Sequence, residues 1–98
     1  MSAATMLRIL DQMLKPRTIG DLVLGYIRSR GENGATDEEI QIALRTGGNT
    51  CRPRRIELMR AGLVETATTM DEHGWPDVRT RLTSHGRKAT VYEASASA

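Results

Sequence analysis

Residues 36–64 read T-D-E-E-I-Q-I-A-L-R-T-G-G-N-T-C-R-P-R-R-I-E-L-M-R-A-G-L-V, and this stretch predicts two helices that meet at a glycine turn. Thr36 is followed three residues later by Glu39, which is the pattern of a capping box. The first helix is therefore expected to begin there and to run on its apolar positions to about Leu44. The pair of glycines that follows is expected to end it.

The second helix of this stretch is rich in arginine. Thr50, or Asn49 beside it, is expected to cap the helix, and Thr50 as the cap would put Pro53 in the first turn, where a missing N–H is tolerated. Gly62 is expected to end the helix. Four arginines stand in the nine residues 52–60, so the pattern is typical of a helix-turn-helix that reads DNA.

Two longer runs carry a resemblance to a known family. Residues 49–65, N-T-C-R-P-R-R-I-E-L-M-R-A-G-L-V-E, followed by residues 81–92, R-L-T-S-H-G-R-K-A-T-V-Y, resemble the winged-helix DNA-binding domains of small bacterial and phage regulators. Residues 77–87, D-V-R-T-R-L-T-S-H-G-R, also look like the wing of MarR-like repressors, with a D-x-R strand before an L-T-x-x-G turn. The resemblance covers roughly residues 18–93 and implies a recognition helix in the major groove and a wing against the backbone or minor groove. Cys51 stands where such families usually carry valine, and the wing tip is long and acidic.

The expected fold is α+β, mainly α with a small β-sheet: a winged helix-turn-helix with three core helices, a β-hairpin wing and an extra N-terminal helix. Residues 1–17 are expected to form an amphipathic helix used for docking or dimerisation. Residues 18–93 are expected to form the winged-helix domain, whose first core helix is residues 18–30. Residues 94–98 are small and polar, and are expected to be a disordered tail.

The wing is expected to be a single hairpin. Residues 63–69 and 78–83 are β-prone and flank a turn marked by Gly74 and Pro76, so they are expected to pair. A third short strand is expected at residues 89–93.

Composition sets the class of protein. With no Phe, one Trp and two Tyr in 98 residues, the core must be aliphatic, which favours helices with a small sheet. The single cysteine excludes an intramolecular disulfide, and no secretory signal or membrane-length apolar stretch is visible. The expected location is the cytoplasm of a bacterium or of a phage-infected host cell.

The net charge of +2 hides an uneven distribution. Residues 1–44 carry five basic and six acidic side chains, whereas residues 45–88 carry nine basic and five acidic ones. A positive potential on the half expected to read DNA would attract a phosphate backbone, and arginine suits bidentate contacts to guanine or phosphate. The alternative is a solvated surface helix whose charges serve solubility alone.

A helical wheel divides the arginine-rich helix into two sides. At about 100° per residue, Cys51 and Leu58 share the side expected to face the core, where Cys51 would be a small buried hydrophobe. Arg52 is expected to read a guanine, Asn49 to read an adenine or hold a phosphate, and Ile56 to touch a thymine methyl group or to be a scattered surface apolar residue. The candidate DNA-binding residues of this helix are Asn49, Thr50, Arg52, Pro53, Arg54, Ile56 and Arg60.

The other arginines are expected to divide between DNA and structure. Arg55 lies near the core side, so its guanidinium is expected to pair with a carboxylate of the preceding helix, Glu38 or Glu39. Arg54 is expected to meet phosphate. The candidate backbone contacts of the wing and its surroundings are Arg45, Arg79, Arg81, Arg87 and Lys88.

No catalytic or metal-binding pattern is recognisable. His73, His85 and Cys51 lack metal-ligand spacing, and no C-x-x-C, phosphate loop or H-E-x-x-H is present. Ser84 and His85 are adjacent, and no third group completes a triad. The chain is expected not to be an enzyme and to need no cofactor or metal.

Two functions therefore stand as expectations. The first is sequence-specific binding of double-stranded DNA, in transcriptional regulation or in a phage-encoded control or replication role. The second is a winged helix that docks on a polymerase or replication protein, with Trp75 at the acidic wing tip either packed under the tip or exposed as an anchor. The apolar stripe of residues 3–14 is expected to pack on its own domain or to join two copies into a dimer that reads a palindromic site.

Overall fold

The computed structural model describes residues 18–95, and these form a small α+β domain of three helices and short antiparallel strands, which confirms the expected class. This architecture is compatible with a winged helix. In chain order the elements are α1 (Ile19–Arg30), a 3₁₀ helix (Gly31–Asn33), α2 (Asp37–Leu44), α3 (Gly48–Arg60), β1 (Val64–Thr66), β2 (Thr68–Met70), β3 (Pro76–Val78), β4 (Thr80–Leu82), β5 (Lys88–Thr90) and β6 (Tyr92–Ala94). The helix expected in residues 1–17, and with it the dimer contact through residues 3–14, lies outside the described residues.

The first two helices begin as their sequences predict. The Thr18 hydroxyl accepts a hydrogen bond from the Asp21 amide at 3.0 Å and caps α1. In α2 the Thr36 hydroxyl accepts from the Glu39 amide at 3.2 Å, while a Glu39 carboxylate oxygen accepts from the Thr36 amide at 3.3 Å. This reciprocal pair is the expected capping box, and it satisfies two amides that the first turn leaves without helical partners.

The turn between α2 and α3 differs from the expectation. Arg45, with φ of 54°, is the residue that leaves the helix in a left-handed conformation, so the glycine pair does not end α2. Gly47 instead precedes α3 as its N-cap and Gly48 is its first residue, so the helix begins three residues earlier than a cap at Thr50 would allow. The predicted cap at Asn49 or Thr50 is therefore wrong.

Pro53 consequently lies in the second turn of α3, not in the first. A residue with an amide would there donate to the carbonyl of Asn49, and proline cannot. The helix ends as predicted. Gly62 has φ of 78°, its amide donates to the Met59 carbonyl, and the amide of Leu63 donates to the Leu58 carbonyl, both at 3.0 Å, which is the Schellman pattern.

The strands form three separate two-stranded ribbons that meet at one point. The pairs are β1 with β6, β2 with β3, and β4 with β5, all antiparallel. The residues between consecutive strands close a ring of backbone hydrogen bonds. Ala67 donates to Val91 at 2.8 Å, Val91 to Arg79 at 3.0 Å, and Arg79 to Ala67 at 2.9 Å. We call this ring the three-way junction.

The expected single hairpin is therefore wrong in most of its length. Residues 63–69 and 78–83 pair only where β2 meets β3, because β1 turns to β6 and β4 turns to β5. The third strand expected at residues 89–93 is divided at Val91 into β5 and β6. Ala94, which was expected in the disordered tail, lies in β6, and the Ser95 amide donates to the Leu63 carbonyl at 3.0 Å.

The core lies between the helices and the β1–β6 ribbon. Its fully or almost fully buried members are Val23, Ile27, Ala35, Ile40, Cys51 and Val64, and the junction residues Ala67 and Val91 are also buried. Ala35 and Tyr92 exchange two backbone hydrogen bonds of 2.8 Å, which adds one residue pair to the outer side of β6.

Gly34 permits the close approach of the 31–34 turn to the junction. Its φ is +63°, and a Cβ atom there would lie 2.5 Å from Val91 Cγ1 and 2.7 Å from the Tyr92 carbonyl oxygen. Only glycine fits this position without a shift of the backbone. Within residues 18–95, no helix has the length and apolar character needed to cross a membrane.

Candidate nucleic-acid interface

One side of α3 is open to solvent and is lined by the side chains that the sequence analysis assigned to it. Ile56 is half-buried, and together with its neighbours on this side it lines a shallow groove. The groove is lined by Gly48, Asn49, Arg52, Pro53, Ile56, Glu57 and Arg60. The structure thus brings together five of the seven helix residues named from the sequence, and it leaves Thr50 and Arg54 outside the groove, both exposed.

Arg54 is paired on its own helix. Its NH1 atom donates to both carboxylate oxygens of Glu57 at 2.9 Å. Both side chains are about half exposed, at 48% and 59%, so solvent and salt weaken the pair. Glu57 also borders the groove, and it places a negative charge beside Arg60 and Arg54.

The opposite side of α3 packs into the core. Cys51 is 1% exposed, which confirms the expected small buried hydrophobe. Burial raises the pKa of the Cys51 thiol, and the negative charge of Asp37 raises it further. Both effects disfavour the thiolate, which is the reactive form of cysteine.

Arg55 joins α3 to α2 and to the sheet. Its Nε donates to Asp37 Oδ1 at 2.9 Å and its NH2 to Asp37 Oδ2 at 2.7 Å, which is a bidentate ion pair with the side chains 10% and 21% exposed. The guanidinium carbon lies 4.2 Å from the centroid of the Tyr92 ring. The hydrogen bonds to Asp37 raise the pKa of Arg55 above its ordinary value. A structural ion pair for Arg55 is therefore confirmed, but the expected partners, Glu38 and Glu39, are wrong.

Arg55 pairs with Asp37 and not with Glu38 or Glu39 because the three acidic residues in the first turn of α2 point to three different elements. Asp37 faces α3, where Arg52 Nε also lies 3.6 Å from Asp37 Oδ2. Glu38 Oε1 accepts a hydrogen bond from the Ser84 amide at 3.0 Å, in the turn between β4 and β5. This bond is the largest cause that lowers the pKa of Glu38. Glu39, besides its part in the capping box, meets Arg81 of β4, whose Nε is 3.1 Å from Glu39 Oε2.

Arg79 and Arg81 are directed at the 31–34 turn. The NH2 atom of Arg79 donates to the carbonyls of Glu32 and Asn33 at 2.7 and 2.8 Å, and that of Arg81 donates to Asn33 at 2.7 Å. The Arg81–Glu39 contact is an attraction of charges and not an aligned hydrogen bond, because Arg81 Nε is buried without a hydrogen-bond partner. Sequence reasoning missed this arrangement, since carbonyl acceptors in a turn carry no residue-type signal. Phosphate contacts by these two arginines stay a prediction.

The remaining basic candidates, Arg45, Arg87 and Lys88, are exposed. Trp75 is 69% exposed, so it does not pack under the 71–75 tip. The tip itself is ordered by Asp71, whose Oδ1 accepts from the amides of His73 and Trp75 at 2.9 Å. Among the described residues, no group of three His, Cys, Asp or Glu side chains could hold a metal ion.

No protein-family model matches this sequence. Comparison with curated proteins and with solved structures also finds no match.

Proposed function

We propose that this chain is a winged-helix protein that binds double-stranded DNA in a sequence-specific manner through the exposed side of α3. The observation that carries the proposal is the groove on α3, where Asn49, Arg52 and Arg60 surround the apolar side chain of Ile56. Amide, guanidinium and apolar groups on one helix face are the groups that read base edges in the major groove.

Four side chains of the groove have a chemical role in this proposal. Arg52 donates two hydrogen bonds to the O6 and N7 atoms of a guanine, and Asn49 pairs with the N6 and N7 atoms of an adenine. Ile56 contacts a thymine methyl group. Arg60 and Arg45 donate to phosphates and contribute the salt-dependent part of the affinity.

The ion pair behind the groove supports the proposal. Arg55 is fixed between Asp37 and Tyr92, so the orientation of α3 is set by α2 and β6 together. Reading helices need such support, because a side chain must reach its base edge with a position fixed to a fraction of an ångström. The biological role that follows is transcriptional or replication control in a bacterium or a phage.

A second candidate function is docking on a protein partner through the 71–75 tip. The observation that favours it is the 69% exposure of Trp75 beside the acidic residues Asp71 and Glu72. Tryptophan is enriched at the centres of protein interfaces.

The test compares Arg52→Ala with Arg28→Ala, an exposed arginine on α1 that serves as the matched control. Duplexes bound by the unaltered protein are first selected from a random library, and binding is then titrated on the preferred and on a scrambled duplex at fixed salt. Arg52→Ala is expected to lose about 1–3 kcal/mol on the preferred duplex and much less on the scrambled one. Arg28→Ala is expected to bind both as the unaltered protein does.

Each variant must first show an unchanged melting temperature, since an unfolded variant would bind weakly to every duplex. If folded Arg52→Ala and Arg60→Ala both bind the preferred duplex as tightly as the unaltered protein, the α3 side is not the reading surface and the proposal fails. Binding of an unrelated sequence with equal affinity by the unaltered protein would contradict sequence specificity.

A further inference from the structure

The strand segment from β3 through β4 has an exposed apolar side. Along residues 78–82 the side chains alternate: Arg79 and Arg81 reach the 31–34 turn, whereas Val78 is 45% and Leu82 is 67% exposed. Met70, which is 66% exposed, lies opposite Pro76 in the β2–β3 ribbon, so the two side chains share a face. We call Met70, Pro76, Val78 and Leu82 the outer face.

The outer face lies between two tips of opposite charge. The 71–75 turn precedes β3 and carries Asp71 and Glu72, and Asp77 at the start of that strand adds a third negative charge at this end, with its side chain on the face opposite to Pro76 and Val78. The 83–87 turn follows β4, and with the start of β5 it carries Arg87 and Lys88, whose two positive charges exceed the single negative charge of Glu38 bound at Ser84. The segment of residues 76–82 therefore runs from an acidic end to a basic end, about 20 Å apart at the rise of an extended strand.

The β2–β3 ribbon has no cover within the described chain. Every residue from 68 to 78 is exposed, and an isolated two-stranded ribbon is marginally stable in water. Exposed Met, Val and Leu side chains that share one face mark a surface that gains free energy when it is covered.

We propose that the outer face binds the outer face of a second copy of this chain, with the two 76–82 segments antiparallel about a twofold axis. In this orientation the acidic end of each copy meets the basic end of the other, whereas a parallel orientation would place like charges together. A twofold contact is self-complementary: each residue pair occurs twice. Any other partner would need an apolar strip with a positive charge at one end and a negative charge at the other. A second copy of this chain, turned end for end, already presents that surface.

This assignment is independent of the proposed function, because it concerns the ribbons and not the groove of α3. In this arrangement Arg87 and Lys88 contact the second copy and not the DNA backbone. The same contact would present two copies of α3 on one particle, as a palindromic site requires.

The test is the molar mass of the full chain, measured by sedimentation equilibrium over a micromolar concentration series at low and at moderate salt. The unaltered protein is expected to form a dimer that weakens as salt rises, because exposed charges are screened. Leu82→Ser is expected to raise the dissociation constant at least about tenfold. Ile42→Ser, which alters an equally exposed apolar residue on α2, is expected to leave it unchanged.

Charge reversal makes the test specific to the antiparallel arrangement. The acid-reversed variant carries Glu72→Lys and Asp77→Lys, and Asp71 is kept because it orders its turn. The base-reversed variant carries Arg87→Glu and Lys88→Glu. Each variant alone is expected to be monomeric, since like charges meet at both ends. An equimolar mixture of the two is expected to form a heterodimer, and Arg28→Glu serves as the charge control.

Unchanged melting curves establish that each variant folds, which exposed substitutions permit. The proposal is overturned if the unaltered chain is a monomer throughout the series, if both reversed variants still dimerise, or if their mixture stays monomeric. A base-reversed variant that remains a dimer but loses affinity for DNA would place Arg87 and Lys88 on the phosphate backbone. That result would also overturn the proposal.

Discussion

Asp37 is the residue through which α2 holds the candidate reading helix. Its carboxylate accepts both hydrogen bonds from Arg55, and Arg52 of the groove is 3.6 Å away. A side chain that we propose reads a base is thus linked by one carboxylate to a side chain that packs against the core. The position of Arg52 and the docking of α3 therefore depend on the same residue.

Asp37→Asn is expected to destabilise the fold by about 3 kcal/mol, because it leaves the guanidinium of Arg55 buried without a counter-charge. Urea denaturation followed by circular dichroism measures the loss. Asp37→Asn combined with Arg55→Met should recover part of it, since the double change removes the unpaired charge. Glu65→Gln, an exposed change on β1, is the control. An unaltered urea midpoint in Asp37→Asn would show that the pair contributes nothing.

At the scale of elements, the β4–β5 ribbon is attached to α2 by a contact at its tip. The Ser84 amide donates to Glu38 Oε1, and this bond, the Ser84 side chain and nearby His85 lower the pKa of Glu38 below its ordinary value of 4.5. Because the folded pKa is depressed, the attachment is complete above pH 4.5 and is lost as the pH falls through the folded pKa.

The amide chemical shift of Ser84, followed by NMR from neutral to acidic pH, measures this attachment. We expect a single transition with its midpoint below 4.5, and we expect Glu38→Gln to abolish it, because the amide side chain does not titrate in this range. The Ala67 amide, which is buried in the three-way junction and donates to the Val91 carbonyl, serves as the internal reference. A Ser84 transition that persists in Glu38→Gln would assign the titration to another group.

The helices could be predicted from sequence because their signals are local. The capping box at Thr36, the amphipathic pattern of residues 18–30 and the stop at Gly62 each depend on neighbours within one or two turns. The start of α3 could not be predicted from sequence, since a glycine N-cap has no side chain to signal it and the nearby Thr50 gives a misleading signal.

Strand partners and arginine partners could not be predicted for a different reason. A strand of three residues has too short an alternation to select its neighbour, so the partner of β1 or β4 is decided by packing elsewhere. The exposed side of α3 followed from helical periodicity. The partners of Arg79 and Arg81 did not, because a backbone carbonyl in a distant turn is invisible in the residue types.

At the scale of the whole molecule, the first turn of α2 is where the parts are joined. Asp37 binds α3, Glu38 binds the 83–87 turn, and Glu39 meets β4. Two of these carboxylates, Asp37 and Glu39, also neutralise arginines that would otherwise add to the positive potential. The positive charge left unpaired is thus smaller than the number of arginines indicates.

The three-way junction makes the lengths of its ribbons independent of one another. Inserting Gly-Ser after Glu72 should leave the melting temperature nearly unchanged, because the added residues extend only the 71–75 tip. Inserting one alanine between Arg79 and Thr80 should lower stability by about 1 kcal/mol for each backbone bond lost from the ring, since it shifts the register of β4. Calorimetry compares the two, and equal melting temperatures would contradict this account. A junction of this kind allows each ribbon to lengthen, shorten or change its surface residues over evolutionary time while the helical core of the domain keeps its shape.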